Sequence, residues 1–114
     1  MGSKIIYKIV PQKMWQEAEQ SGIFTGAPVD LADGYIHFST ADQVKATAAK
    51  HFASQNDLLL VLVDSVKLGD QLKYEVSRGG ALFPHLYASL DLQFVHSVVA
   101  LPVGEDGVHL FPEL

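Results

Sequence analysis

One stretch of the sequence combines an arginine with a carboxylate and glycines, a composition suited to binding an anion. Arg78 is the only arginine in the chain; it follows Glu75 by three residues and directly precedes Gly79 and Gly80. Glycines leave the backbone amides open to a ligand, and a guanidinium pairs well with carboxylate or phosphate. The alternative is that Arg78 forms an ion pair with Glu75 or is a solvated surface charge, as most surface charges are.

A histidine and a serine form a second group. Residues 35–39 alternate between polar-tipped and apolar side chains, so a strand there places Tyr35, His37 and Ser39 on one face. His37 either holds a ligand hydroxyl or carboxylate from the floor of a cleft, or is a core histidine bonded to a backbone carbonyl. A serine hydrolase is disfavoured, because the sequence lacks Gly-x-Ser-x-Gly.

A third group lies in residues 83–87 (FPHLY), where His85 and Tyr87 bring two polar-tipped rings close together in the sequence. Functional groups are often displayed on such segments. The alternative is that Phe83 and Tyr87 pack over the sheet and that His85 is exposed.

The histidines do not have the spacing of a metal site. His37, His85 and Glu75 are of ligand type, but no His-x-x-x-His pair or His-Glu-x-x-His run occurs. We therefore predict no metal site. The remaining histidines are predicted to be structural: His51, His96 and His109.

The composition excludes several classes of function. The chain of 114 residues has no cysteine and a net charge of -5, which excludes a thiolate nucleophile and disfavours binding to nucleic acid. Its length predicts a single domain over residues 1–114.

The longest strongly apolar run, residues 58–63, is far shorter than the roughly 20 residues of a transmembrane helix. Without a recognisable targeting signal, we expect a cytoplasmic protein that does not bind membranes.

The order of the predicted helices and strands, which position these residues, indicates an α+β fold. We expect two helices covering one side of a mostly antiparallel, split sheet, because no helical pattern follows the second helix. Residues 22–34 read as a long loop, and Pro84 favours a loop with a turn over residues 82–87. The helices are predicted at residues 11–21 and 41–53, and the strands at residues 4–10, 35–39, 58–63 (central), 72–76, 92–101 and 108–111.

Three segments together resemble a small bacterial family catalogued as domain of unknown function 952. They are residues 33–40 (DGYIHFST), 72–80 (LKYEVSRGG) and 83–87 (FPHLY), and the likeness extends from residues 6–9 to the closing FPEL. This family has no assigned reaction. Its domains look like distant relatives of the ADP-ribosyltransferase fold, in which two antiparallel sheets enclose a cleft that binds nicotinamide adenine dinucleotide (NAD).

The resemblance implies roles for particular residues. His37 matches the early-strand histidine that holds ribose in those transferases, and Tyr74 or Tyr87 could supply the aromatic wall. The late strand has Gln93 where the transferases usually carry glutamate, and an amide cannot give the anionic stabilisation that an oxocarbenium ion needs. Glu75 could substitute only if the fold brings it into the same cleft. NAD is therefore a possible cofactor.

The leading hypothesis is a cleft that binds a small anionic ligand such as a nucleotide or a phosphorylated metabolite. Arg78 would pair with the anion, and Glu75 would orient Arg78 or act as a base. The alternatives are an NAD-dependent ADP-ribosyl or related transferase and a non-enzymatic interaction module in which Glu75 and Arg78 brace a loop. The candidate catalytic residues are His37, Glu75 and His85, and the candidate ligand-binding residues are Ser39, Tyr74, Arg78 and Tyr87.

Overall fold

The computed structural model describes residues 5–114, except for the side chain of Arg78. Lys4, the predicted start of the first strand, lies outside these residues. The helices are α1 (Gln12–Ser21), α2 (Pro28–Asp33) and α3 (Ala41–His51). The strands are β1 (Ile5–Pro11), β2 (Ile23–Phe24), β3 (Ile36–His37), β4 (Leu58–Asp64), β5 (Leu72–Val76), β6 (Leu82–Leu86), β7 (Leu90–Asp91) and β8 (Val95–Ala100). The α+β prediction is confirmed.

The first sheet has the strand order β1-β4-β8 and is antiparallel. The apolar run of β4 is central in it, as predicted. Alternate residues of β1 enter different core clusters: Ile6 packs with Trp15 of α1, whereas Ile9 packs with Val44 of α3. Because successive side chains of a strand point to opposite faces, α1 and α3 cover opposite faces of this sheet. The prediction that both helices cover one side was wrong.

The second sheet has the order β3-β6-β5, also antiparallel, and its central strand corrects a prediction. Residues 82–86 form β6 rather than a loop, although they contain Pro84. The carbonyl of Pro84 accepts a hydrogen bond from the Phe38 N–H, 2.9 Å away. The N–H and C=O of one strand residue point to the same neighbour, so the missing N–H lies on the side of the two-residue β3. The ladder to β5 is therefore unaffected by the proline.

Residues 22–34 are more ordered than the predicted loop, since they contain β2 and α2. Pro28 occupies the first turn of α2, where a missing N–H costs nothing, and the Asp30 carboxylate accepts from the Ala27 N–H at 2.7 Å. Gly34 ends the helix in the left-handed conformation (φ 88°). The proline and aspartate that predicted turns are the start signals of a short helix.

Two late segments also differ from expectation. The predicted strand at residues 92–101 begins at Val95, because the Asp91 carboxylate accepts from the Gln93 N–H and caps a 3₁₀ turn over Leu92–Phe94. Residues 108–111 form no strand in the structure of residues 5–114, apart from an isolated bridge between Val103 and His109. No helix within residues 5–114 is long and apolar enough to span a bilayer.

Candidate functional site

The second sheet brings the three predicted segments together. His37 of β3 lies directly opposite His85 of β6, which lies directly opposite Lys73 of β5. Paired residues share a face, and alternation adds the residues two positions away, so Tyr35, Tyr87 and Glu75 belong to the same face. The opposite face carries Ile36, Leu86 and Leu72 into the core.

The rings on this polar face are packed against one another. Tyr35 stacks on His85 with ring centroids 4.1 Å apart, and it contacts His37 at 4.6 Å and Tyr87 at 5.1 Å. The rings of His37 and His85 meet edge to face at 5.5 Å. Tyr35 therefore lies at the centre of a cluster of four rings and fixes the positions of both histidines.

Glu75 links His85 to Tyr87. Its Oε1 atom lies 2.8 Å from Nδ1 of His85 and accepts a hydrogen bond from the Tyr87 hydroxyl at 2.6 Å. These two hydrogen bonds, first that of Tyr87 and then that of His85, lower the pKa of the Glu75 carboxyl. The same carboxylate raises the pKa of Tyr87 to about 12. His85 is buried, at 2% exposure, and its Nε2 atom has no hydrogen-bond partner among the described residues.

His37 is held between two carboxylates. Its Nδ1 lies 2.6 Å from Oδ1 of Asp30, and its Nε2 lies 2.9 Å from Oδ2 of Asp33. A carboxylate only accepts, whereas a neutral imidazole has one N–H, so both contacts are hydrogen bonds only when the ring carries two protons. The two carboxylates fix the orientation of the His37 ring.

Asp30 is the buried anchor of this arrangement. Besides His37, it contacts Nζ of Lys8 at 3.1 Å and accepts from the backbone N–H groups of Ala27 and His37. Burial alone would raise the pKa of the Asp30 carboxyl, but the His37 hydrogen bond, the Lys8 charge and the backbone donors outweigh it, and the pKa is lowered. Burial lowers the pKa of Lys8, and the Asp30 charge partly offsets that effect. The ion pair connects β1 to α2, and the contacts of Asp30 with His37 connect both to the second sheet.

A cavity of about 480 Å³ opens between β1, α3 and the second sheet. Its size is that of a small-molecule site, and its lining combines apolar and aromatic side chains with a few polar groups. Apart from the phenol of Tyr7, the ionisable groups on its described lining are all basic: Lys8, His37, His51 and His85. No described carboxylate lines it. The cavity thus presents a lining suited to a small ligand with an anionic group and an apolar body.

The predicted site residues separate into three sets. His37 and His85 line the cavity together with Ser39, whose hydroxyl is 3.0 Å from that of Thr47 on α3. Glu75 and Tyr87 lie behind His85 and are outside the described lining. The other two residues are not placed in this cluster: Tyr74 projects to the other face of β5, opposite Pro84, and the side chain of Arg78 lies outside the described part of the chain.

Sequence reasoning missed several members of the site. Lys8 and Asp30 were overlooked because their pairing joins residues 22 positions apart, and only tertiary packing brings them together. His51 was predicted to be structural, yet it lines the cavity from the end of α3. Asp33 could have been found, since it precedes His37 by four residues in the motif-bearing segment. Tyr35 was placed on the correct face but given no role.

The structure also shows how the potential metal ligands are arranged, and where Gln93 and Glu75, the two residues compared with the transferase glutamate, lie. Among residues 5–114, no group of three His, Cys, Asp or Glu side chains is positioned to hold a metal ion. Gln93 donates its side-chain N–H to Asp91 at 3.0 Å and is not part of the described cavity lining. Glu75 contacts His85 and is itself outside the described cavity lining.

Comparisons with known proteins agree with this architecture. The X-ray structure of protein CC0527 from Caulobacter crescentus is similar, with 46% sequence identity over 93% of each chain and a TM-score of 0.90. Its solution NMR structure matches 91% of this chain and 90% of that one, with 47% identity and a TM-score of 0.84. A search of curated proteins found no match.

A family model settles the classification. The model described as "Protein of unknown function (DUF952)" matches residues 9–98, which include β3, β5 and β6 with all the rings of the cluster. This match covers more than half of the sequence. The chain therefore belongs to the DUF952 family of proteins of unknown function.

Proposed function

We propose that this protein binds a small anionic ligand with an apolar or aromatic body, such as a nucleotide or a phosphorylated metabolite, in the cavity between β1, α3 and the second sheet. The observation that carries the proposal is that, apart from the phenol of Tyr7, the ionisable side chains on the described lining are all basic: Lys8, His37, His51 and His85. A cavity whose ionisable groups are basic attracts anions, and its low dielectric strengthens the hydrogen bonds that an anion accepts.

The carboxylates near the cavity hold its basic side chains in place and offset part of their positive charge. Asp30 and Asp33 bind His37, and Glu75 binds His85, and none of the three is on the described lining. Each carboxylate therefore orients a basic side chain from behind. The apolar body of the ligand would contact side chains such as Phe52 and Phe83, which line the same cavity.

The test is NMR chemical-shift mapping with three probes: adenosine 5′-monophosphate (AMP), ribose 5-phosphate and phenylacetate. At least one should perturb resonances of the cavity lining in a saturable way. Replacing His51 by alanine should weaken its binding about three- to fivefold, the scale of an exposed charge interaction. His96→Ala is the matched control, because His96 is also exposed but lies on β8 outside the described lining. Perturbations confined to other surfaces, or equal effects of both variants, would refute the proposal.

A second candidate is an ADP-ribosyltransferase-like enzyme that consumes NAD. Two three-stranded antiparallel sheets with a cavity between β1 and β3-β6 favour it, as does the position of His37 on the lining. Release of nicotinamide from NAD, lost in His37→Ala, would support this activity. If the wild type releases no nicotinamide, the transferase candidate fails, whereas anion binding does not.

The interaction-module alternative requires that Glu75 braces a loop through Arg78. Among the described side chains, Glu75 has partners on its own sheet, His85 and Tyr87. The interaction module is the explanation that would apply if every small ligand failed to bind.

A further inference from the structure

We infer that the outer edge of β5 is a self-association surface, where the strand pairs with β5 of a second copy of this chain, antiparallel and with Tyr74 opposite Tyr74. The three-stranded sheets β3-β6-β5 of the two copies then form one continuous sheet. This inference goes beyond the proposed anion binding and does not depend on it.

The first observation is that the outer edge of β5 has unpaired backbone groups. β5 is the end strand in the order β3-β6-β5. The Ser77 N–H donates to the Ala81 carbonyl, on the side of β6, and the direction of these groups alternates along a strand. The N–H and C=O groups of Tyr74 and Val76 therefore point away from β6, and no described residue pairs with them through the backbone. Such an edge is a template for another strand.

The second observation is that apolar side chains are exposed at the same edge. Tyr74 is 43% exposed and Val76 69%, and Leu82, directly opposite Val76 on β6, is 53% exposed. These three side chains share one face of the two strands. The end strand β8 of the first sheet has no exposed large apolar side chain among its described residues. Unpaired backbone and exposed apolar surface therefore coincide at β5, and pairing of two copies buries both.

The charges of β5 identify the partner as a second copy and select one register. Because alternate residues face outward, the registers that keep most of the strand paired place Lys73 opposite Glu75, Lys73 opposite Lys73, or Glu75 opposite Glu75. Opposite charges across two strands stabilise a sheet, and like charges destabilise it. The favoured register therefore has Lys73 opposite Glu75 in both directions. It is also the one that pairs the whole of β5, with the backbone groups of Tyr74 bonded to those of its counterpart.

The lysine on this edge is consistent with self-pairing. A lysine ordinarily protects an edge strand from pairing with another chain. In this register Lys73 meets Glu75 of the second copy in a non-hydrogen-bonded pair, where side chains lie closest. Within its own chain, the contacts of Glu75 with His85 and Tyr87 are both made by Oε1. Its Oε2 atom is the acceptor for Lys73 of the second copy.

The experiment is sedimentation velocity of the full chain from about 1 μM to 1 mM, a range that covers weak association. The wild type should show a monomer–dimer equilibrium. Lys73→Glu should weaken the dimer about tenfold or more, because both Lys–Glu pairs become pairs of carboxylates. Lys13→Glu is the matched control, since it makes the same change in net charge at an exposed lysine on α1, outside β5. It should leave the dimer unchanged.

A charge swap tests the register itself. Glu75→Lys alone should also weaken the dimer. An equimolar mixture of Lys73→Glu and Glu75→Lys should form a heterodimer, because both cross-strand pairs are then again of opposite charge. Amide hydrogen exchange of the wild type needs no variant: a higher protein concentration should slow exchange at Tyr74 and Val76, whose N–H groups face outward.

Each result either supports or overturns the inference. A monomer at every concentration overturns it and leaves the edge to a strand of a different protein. Equal weakening by Lys73→Glu and Lys13→Glu, or a dimer without slower exchange at Tyr74 and Val76, also overturns it. A heterodimer from the two folded β5 variants supports it, and its absence contradicts the register. None of these measurements uses a small ligand, so a failure here is distinct from a failure of anion binding.

Discussion

Replacing Asp30 by asparagine should destabilise the protein far more than the same change at Asp33. Asp30 is 2% exposed and pairs with Lys8, whose side chain is 8% exposed, whereas Asp33 is 46% exposed. Removing one partner of a buried ion pair leaves the other charge uncompensated and costs about 3–5 kcal/mol. Removing an exposed partner of a histidine costs about 1 kcal/mol or less. Both variants lose a contact to His37, but only Asp30→Asn leaves the Lys8 charge uncompensated and alters the acceptor of the Ala27 and His37 N–H groups.

Urea denaturation followed by the fluorescence of Trp15 is a suitable assay, because this is the only tryptophan and it is 2% exposed. For Asp30→Asn, a loss of about 3–5 kcal/mol corresponds to a fall in Tm of about 10–20 °C. If the Asp30 and Asp33 variants lose the same free energy of unfolding, the ion pair does not have the role assigned to it.

The same comparison has a pH dependence with a definite sign. The folded protein lowers the pKa of Asp30 below its unfolded value of about 3.9. The unfolded chain therefore binds the proton more readily, and the stability due to this carboxylate is fully present above that pH. It is lost as the pH falls through the folded-state pKa. The difference between the wild type and Asp30→Asn should shrink in strong acid; a difference that grows there would contradict the assignment.

Three further changes test other parts of the structure. Tyr87→Phe removes the largest cause of the lowered pKa of Glu75, so that pKa should rise in a ¹³C NMR titration, whereas Tyr74→Phe on the other face should leave it unchanged. Gly34→Ala should lower the free energy of unfolding in urea by about 1–2 kcal/mol, because φ is 88° at this position, although nothing would contact an added Cβ. An unchanged free energy of unfolding would contradict the expected backbone strain. Phe38→Ala should cost about 3–5 kcal/mol by thermal unfolding, since Phe38 is 2% exposed in the core; a loss below 1 kcal/mol would contradict its packing.

Local patterns predicted the main elements of this fold. The apolar run of β4 indicated a central strand because a continuous apolar run is typical of a strand that is buried on both faces of a sheet. Alternation placed Tyr35 and His37 on one face, and Gly22 marked the end of α1 in the left-handed conformation. These features depend on short-range rules that a single sequence carries.

Other features depend on tertiary context and could not be predicted. Pro84 is tolerated in a central strand only because β3 is too short to need its N–H. The packing of α1 and α3 on opposite faces of the first sheet follows from β1, whose successive side chains enter two different core clusters. The pairing of Lys8 with Asp30 has no local pattern at all.

The candidate site was predicted in part. The segments containing His37, Glu75 and His85 meet on one sheet, as the residue types suggested. Glu75 contacts His85 and Tyr87 across the neighbouring strand, and its predicted pairing with Arg78 concerns a side chain outside the described part of the chain. Which side chains reach the cavity is decided by how β1 and α3 close over the sheet.

The most direct test of the central claim compares each anion with its neutral counterpart by isothermal titration calorimetry. The pairs are AMP with adenosine and phenylacetate with phenylacetamide, which differ in charge while keeping the same apolar body. We predict that at least one anion binds and that its neutral counterpart binds at least about tenfold more weakly, the equivalent of one charge-assisted hydrogen bond. Equal binding of both members of each pair, or no binding of either anion, would contradict an anion site lined by Lys8 and the histidines.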